Sequence, residues 1–220
     1  MSIGMVLLTA TAVLVFFGVT QRVLDKMRMT DKGALLMAAA MFFGSLLPKL
    51  RFGSIEMNIG GALVPVGISL YLICTAGSFK EGARAVIGSI LTGAAVYFLG
   101  QWMPDEPEAI GFDPNYVYGL FAGLTAYLLG RSRRGAFVSG ILGVILADVT
   151  VALVNWQKGI EQPLVLGGAG MFDVTVISGL TAVILAELVG EAVERFSRGK
   201  EPPEHRPIEN PVKDHQGGEA

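Results

Sequence analysis

The sequence predicts an all-α protein, a polytopic bundle of about seven transmembrane helices. The chain of 220 residues is 52% hydrophobic and only 16% charged, its apolar residues form long runs, and its basic residues cluster between alternate runs. Ordinary soluble domains carry roughly 25% charged residues. A run of about 20 apolar residues matches the roughly 30 Å hydrocarbon core of a bilayer. We therefore expect the lipid bilayer to be a partner of this chain.

Seven apolar runs define the predicted spans. They cover approximately residues 3–20, 34–48, 59–79, 85–103, 115–130, 135–156 and 171–190. The second and fifth are short, so they would need interfacial residues or a locally thinner bilayer. No basic residue precedes the first run, unlike in a cleaved signal peptide, and we expect this run to remain as a helix.

The basic residues predict the orientation of the spans. With the amino terminus outside, the outer loops hold only Lys49, Arg51 and Lys158. The inner loops then hold Arg22, Lys26, Arg28, Lys32, Lys80, Arg84, Arg131, Arg133 and Arg134. Because cytoplasmic loops carry such an excess, we expect a cell-membrane protein with its amino terminus outside and its carboxyl terminus in the cytoplasm. Trp102 and Trp156 fall at predicted outer ends, where aromatic side chains favour the headgroup level.

Two parts of the chain are distinguished by composition. Residues 1–195 form the predicted transmembrane domain, whose last span continues as an amphipathic helix. Residues 196–220 are polar and contain prolines, so we expect a disordered cytoplasmic tail. His205 and His215 both lie in this tail, where we expect solvated side chains and no catalytic role.

Charge and cysteine content exclude several functions. A net charge of −2 gives no reason to expect a nucleic-acid partner. The single cysteine, Cys74, excludes an intrachain disulfide and a cysteine metal cluster, and its apolar surroundings predict a buried thiol. We expect no cofactor and no metal site, while a homo-oligomer is compatible with the sequence.

Two short matches predict an internal repeat. KGAL, from residue 32, corresponds to RGAF, from residue 134, and IGGALVPVGISL, from residue 59, corresponds to LGGAGMFDVTVISGL, from residue 166. The repeats would cover residues 1–79 and 115–190, joined by a linker helix at 85–103. This topology resembles that of the small sugar carriers known as SWEETs, in which two parallel triple-helix units enclose a central route.

Three acidic side chains lie inside the predicted spans, namely Asp148, Asp173 and Glu187. A charge isolated in lipid costs at least roughly 2.5–3.5 kcal/mol, so each should face protein, water or another of the three. Asp148 lies about 12 Å below the outer end of its span, and Asn155 follows on the same helix face. Asp173 also lies in the outer half, so it could approach Asp148. Glu187 lies near the inner interface, where we expect a snorkelling or paired residue.

Both aspartates also have a structural explanation. Asp173 could cap its own helix by accepting hydrogen bonds from the first-turn amides. Asp148 is far from any helix end, so it would instead bond to a neighbouring helix. These alternatives stay open at the level of the sequence.

Glycines interrupt two spans at their outer ends. Gly167, Gly168 and Gly170 stand next to Asp173, where non-helical backbone could line a polar cavity. In the first half, Gly60 and Gly61 are followed by Pro65. Such paired interruptions point to a transporter binding site.

Two family resemblances follow from these motifs. GGAGMFDVTVISG, IGGALVPVGISLYL and ILADV resemble an uncharacterised prokaryotic membrane family defined only as a domain of unknown function, which implies no activity. The aspartate pair resembles in part the intramembrane aspartyl proteases, including presenilins and prepilin peptidases. Those enzymes pair an Asp with a Gly-x-Gly-Asp motif so that two carboxyl groups share a proton. Here GAGMFD places two residues between Gly170 and Asp173, which departs from that motif.

The sequence favours a small-solute or ion carrier, coupled to protons or cations. Its predicted binding residues are Asp148, Asp173, Asn155, Gly167, Gly168, Gly170, Gly60, Gly61 and Pro65. One alternative is an intramembrane aspartyl protease that uses Asp148 and Asp173, and another is a non-catalytic membrane scaffold. Whether the chain is an enzyme stays open, with transport preferred.

Overall fold

The computed structural model describes residues 31–102, 114–130 and 132–198, together with Gly18 and Gln21. This part of the chain is mostly helical, as the sequence predicts, and it also contains a small sheet. In order, the elements are α1 (Asp31–Leu46), β1 (Leu50–Phe52), β2 (Ile55–Met57), a π-helix (Ile59–Leu63), α2 (Val64–Cys74), α3 (Phe79–Trp102), α4 (Pro114–Gly130), α5 (Arg133–Gln157), β3 (Leu164–Leu166), a 3-10 helix (Gly170–Phe172) and α6 (Val174–Arg198).

Six predicted spans correspond to helical segments, while the first, 3–20, lies outside the described residues. Within those residues, α3 and α5 are long and apolar enough to cross a membrane, and the other apolar helical segments are shorter. Length and composition alone also admit the core helix of a soluble protein. The count of seven spans and their orientation therefore stay predictions.

The third and fourth spans differ most from their predicted bounds. The connection lies at 75–78 instead of 80–84, because Ser78 and Glu81 start α3 early. Ser78 Oγ accepts a hydrogen bond from the Glu81 N–H (3.3 Å), and Glu81 Oε2 accepts one from the Gly77 N–H (3.3 Å). This closely resembles a capping box, in which two side chains satisfy free amides at a helix start.

Helix α5 lies at the centre of the bundle and packs against α2, α3, α4 and α6. Small residues permit this close approach. A Cβ added at Gly140 would lie 3.0 Å from the Cα of Gly179 on α6, and one at Gly143 would lie 2.7 Å from Thr92 on α3. Ser178 Oγ donates to the Gly140 carbonyl (2.9 Å), which adds a polar contact between the helices. Small residues with interhelical hydrogen bonds are typical of membrane helix contacts.

Helix α3 has its small residues inside and its large apolar residues outside. Gly88, Ser89, Thr92 and Gly93 are buried against the bundle. The opposite surface carries Ile87, Ile90, Leu91, Phe98 and Trp102, all of which are exposed. A soluble monomer rarely exposes so large an apolar surface, so this arrangement suits a helix that faces lipid.

The three-stranded sheet was not predicted. Strands β1 and β2 form an antiparallel hairpin closed at Gly53, whose φ is 60°, and β2 pairs in parallel with β3. Each strand has three residues, too few for an alternating pattern to be recognised. The sheet joins two connections that the sequence assigns to the outer side.

Two further predictions concern single residues. Cys74 is exposed, so the prediction of a buried thiol was wrong. Cys74 is the last residue of α2. Apolar neighbours in the sequence do not determine whether a residue at a helix end points toward the bundle or away from it. Glu187 forms a salt bridge with Arg133 at the start of α5, which confirms the expectation of a paired residue.

The carboxyl end of α6 continues to Arg198, past the predicted domain boundary at residue 195. The remainder of the predicted tail, residues 199–220, lies outside the described part, as do both histidines.

Candidate functional site

The two glycine-rich segments contact each other directly. A Cβ at Gly61, in the π-helix, would lie 2.5 Å from the Gly167 carbonyl oxygen and 2.6 Å from that of Gly170. Gly167 and Gly170 have positive φ angles of 66° and 64°, which other residues rarely adopt. The backbones therefore meet with no side chain between them, and only glycine fits at these positions.

Asn58 holds this contact together and was missed from the sequence. Its Oδ1 accepts from the Gly61 N–H (2.8 Å), which caps the π-helix, and its Nδ2 donates to the Ser45 carbonyl (3.4 Å). Its backbone N–H donates to the Leu166 carbonyl of β3 (3.0 Å). Asn58 is buried, and its position two residues before the glycine pair, at the start of an apolar run where Asn is a favoured cap, was the available signal.

Gly60 and Pro65 have structural roles in the same region. A Cβ at Gly60 would lie 2.0 Å from the Met41 carbonyl oxygen of α1, so α1 and the π-helix touch here. Pro65 is buried in the first turn of α2, directly after the π-helix, and because it has no N–H it cannot donate to the helical carbonyls that precede it. Gly168 lies at the edge of this region, where an added Cβ would be 3.0 Å from Val165 and 3.7 Å from the Lys49 ammonium nitrogen.

Asp173 caps helix α6. Its backbone is extended, with φ −68° and ψ 151°, and Oδ1 accepts from the Thr175 N–H (3.0 Å). Oδ2 accepts from the Ala169 N–H (3.2 Å), which closes the turn between β3 and α6. Both carboxylate oxygens are therefore bound to the chain's own amides, as the capping alternative expected.

Asp148 is placed differently. It is half-buried on α5 and lines a pocket of about 230 Å³. Across the described residues, no hydrogen bond or ion pair reaches its carboxyl group from another protein group. The pocket is lined by Asp148, Val151, Ala152, Asn155, Gln162, Pro163, Leu164 and Val165.

The pocket is closed on one side by the segment that connects α5 to β3. Asn155 Nδ2 donates to Gln162 Oε1 (3.3 Å), and Trp156 Nε1 donates to the Gln162 carbonyl oxygen (2.9 Å). These bonds hold Gln162 and Pro163 beside α5. Sequence reasoning found Asp148 and Asn155, but it missed Gln162, which no short-range pattern marks.

The predicted site residues thus form two groups. Asp148 and Asn155 line the pocket, whereas Asp173 and the glycines form the backbone contact next to it. The two aspartates are close enough to interact electrostatically. However, the pocket lining contains neither Asp173 nor a glycine.

Comparison with known proteins gives a family without an activity. The family described as a protein of unknown function, DUF1614, matches residues 9–185. The chain belongs to the DUF1614 family. No curated protein and no solved structure matches, so the partial resemblances to aspartyl proteases and to SWEET carriers gain no support.

The side chains available to this DUF1614 chain limit what its pocket can bind. Within 31–102, 114–130 and 132–198, no three His, Cys, Asp or Glu side chains group in a way that could hold a metal ion. The pocket offers one carboxyl group and two neutral amides. Such a set can bind a proton or a cation.

Proposed function

We propose that this DUF1614 protein is a multi-pass membrane carrier for a small solute or ion, and that Asp148 is the residue that binds the proton or cation. The observation that carries this proposal is the Asp148 carboxyl group. It faces a pocket and has no protein partner among the described residues.

The membrane part of the proposal is supported by α3 and α5. Both have the length and composition of membrane spans. The exposed surface of α3 carries large apolar residues, while its buried surface is formed by small residues that include Ser89 and Thr92. This arrangement is unfavourable in water and favourable in lipid.

The binding role of Asp148 follows from the cost of an unpaired charge. A half-buried carboxylate without a partner loses solvation that no protein group replaces. Intramembrane carboxylates therefore mark proton or ion pathways, where a bound proton or ion replaces the lost solvation of the carboxylate. A proton or cation in the pocket would remove this cost, and its release would restore it.

Asp173 and the glycines have a supporting role in this proposal. The cap on α6 and the contact between Gly61 and Gly167 fix where β3 leaves the bundle. Leu164 and Val165 of β3 form one wall of the pocket. Asp173 is thus a positioning residue, since both of its oxygens are already bonded.

Flux measurements on reconstituted vesicles test the proposal. Vesicles that contain a trapped pH-sensitive dye receive, in separate runs, sodium, potassium or 3-amino-1-propanol at mildly acidic pH. We expect at least one probe to drive a pH change above that of protein-free vesicles, and Asp148→Asn to reduce this change at least tenfold. Glu161→Gln is the matched control, because Glu161 is an exposed acid next to the pocket that does not line it.

Two results would contradict the proposal. One is the absence of flux above the protein-free level for every probe. The other is equal flux in Asp148→Asn and wild type. Folding of each variant is checked by its elution as a single peak in size-exclusion chromatography.

A further inference from the structure

We infer that the Asp148 pocket binds a primary ammonium group on a short chain that ends in a neutral hydrogen-bonding group. This inference rests on the proposed function, since it names the ligand class of the same site. Four features of the pocket support it: its single acid, its amide pair, its apolar walls and its length.

The acidic end selects a cation. Asp148 is the only charged side chain in the pocket lining. Its oxygens receive no hydrogen bond from the described residues, so both are available to an N–H donor. Charge-assisted hydrogen bonds between an ammonium group and a carboxylate are roughly twice as strong as neutral ones.

The opposite end is polar but uncharged. Asn155 and Gln162 share one hydrogen bond, which uses the nitrogen of one amide and the oxygen of the other. The remaining Asn155 oxygen and Gln162 nitrogen form an acceptor beside a donor. Exchanging O and N in both amides preserves this pairing, so the result does not depend on their assigned orientation. A hydroxyl or amide group on the ligand can use both.

The walls between the two ends favour an organic ion over a metal ion. Val151, Ala152, Pro163 and Leu164 present apolar surface. Calcium takes about six to eight oxygen ligands, and magnesium requires near-octahedral geometry. One carboxylate and one amide oxygen do not meet either requirement, whereas methylene groups pack well against such walls.

The size of the pocket limits the length of the chain. Asp148 and Asn155 are seven residues apart, about 10.5 Å along the helix axis. A hydrogen bond of about 2.8 Å at each end leaves about 5 Å between the polar atoms of the ligand. This is the span of an extended three-carbon amino alcohol. The pocket volume of about 230 Å³ also lies below the range of roughly 300–1,000 Å³ that is usual for drug-sized ligands.

A primary ammonium group can come from a free amine or from a phosphatidylethanolamine headgroup. The pocket lies toward the end of α5 that the sequence assigns to the outer surface, where headgroups are within reach. The two sources share the ammonium group that binds Asp148, whereas the headgroup carries an anionic phosphate in place of the neutral end. The experiment below separates them.

Tryptophan fluorescence provides a direct binding assay. Trp156 is bonded to Gln162 in the pocket wall, and Trp102→Phe removes the other tryptophan of the chain. The full-length Trp102→Phe protein in phosphatidylcholine nanodiscs is titrated with 3-amino-1-propanol. The comparison compounds are propylamine, which lacks the polar end, and 1,3-propanediol, which lacks the charge.

We expect saturable binding of 3-amino-1-propanol, at least fivefold weaker binding of propylamine and no saturation with 1,3-propanediol. Asp148→Asn should weaken amine binding at least tenfold, whereas Glu161→Gln should retain it. Asn155→Ala should reduce the difference between the two amines to less than twofold, a change that a purely structural role would not produce. Equal saturation by 1,3-propanediol, or unchanged amine affinity in Asp148→Asn, would overturn the inference.

Nanodiscs that contain phosphatidylethanolamine separate the two sources. A lower apparent affinity for the free amine in these nanodiscs supports the headgroup as the ligand, and an unchanged affinity supports a free amine. Failure of this inference can be told from failure of the proposed function. Asp148-dependent flux of sodium or potassium without amine binding rejects the ligand class alone, whereas amine binding without any flux rejects the carrier.

Discussion

Gly60 offers the sharpest test of the contact between α1 and the π-helix. In Gly60→Ala the new Cβ would lie 2.0 Å from the Met41 carbonyl oxygen, 2.3 Å from Ser45 Oγ and 2.4 Å from the Ser45 backbone nitrogen. Two of these three atoms belong to the backbone of α1, so a change of side-chain rotamer cannot relieve the overlap. The two helices must separate by on the order of 1 Å, which forfeits packing along the contact.

The expected cost exceeds that of ordinary overpacking. An extra methyl group in a packed core costs about 1–3 kcal/mol when neighbouring side chains can adjust. Because backbone must move here, we expect a loss of about 3 kcal/mol or more. For a chain of this size that corresponds to an apparent melting temperature lower by about 6–12 °C.

Gly67→Ala is the matched control for this measurement. Gly67 lies on the exposed side of α2, and a Cβ added there meets no atom within 4 Å. Alanine also favours a helix over glycine by up to about 1 kcal/mol, so we expect an unchanged or slightly higher melting temperature. Both variants are heated in the same detergent, and the folded fraction is read from size-exclusion chromatography. If Gly60→Ala melts within about 2 °C of Gly67→Ala, the argued contact is wrong.

Three further predictions test individual side chains. Asp173→Ala should lower stability by about 0.5–2 kcal/mol through loss of the α6 cap. Asp173→Asn should cost less than Asp173→Ala and keep wild-type flux, because its amide oxygen can still accept from the Thr175 N–H while the bond from the Ala169 N–H is lost. Loss of flux in a folded Asp173→Asn protein would instead favour the paired-aspartate alternative. Thr92→Val should raise stability by about 1 kcal/mol. The reason is that Thr92 Oγ1 is buried without a hydrogen bond within the described part of the chain. A lower melting temperature in this variant would contradict the reasoning. Cys74 is exposed, so a membrane-impermeant maleimide should modify it in inside-out vesicles, and modification from the outside would reverse the predicted orientation.

The local pattern of residues determined most of the helices and the choice of Asp148. Apolar runs and breaks are properties of neighbouring residues, so α1 to α6 could be located, although the end of α2 and the start of α3 lie five and six residues before their predicted positions. The rarity of a carboxylate in an apolar run made Asp148 and Asp173 stand out. The same local logic proposed a cap for Asp173, and its two bonds to nearby amides agree with it.

Only the tertiary structure decided which of these residues meet. The sheet depends on pairing between residues more than 100 positions apart, such as Ile55 with Leu164, and strands of three residues leave no periodic signal. The contact of Gly61 with Gly167 arises from that pairing. Gln162 enters the pocket for the same reason, since its place beside Asn155 depends on how the chain returns from α5 to β3. A sequence shows which groups are unusual. Whether such a group caps a helix or faces a pocket depends on distances that the packing of distant segments sets.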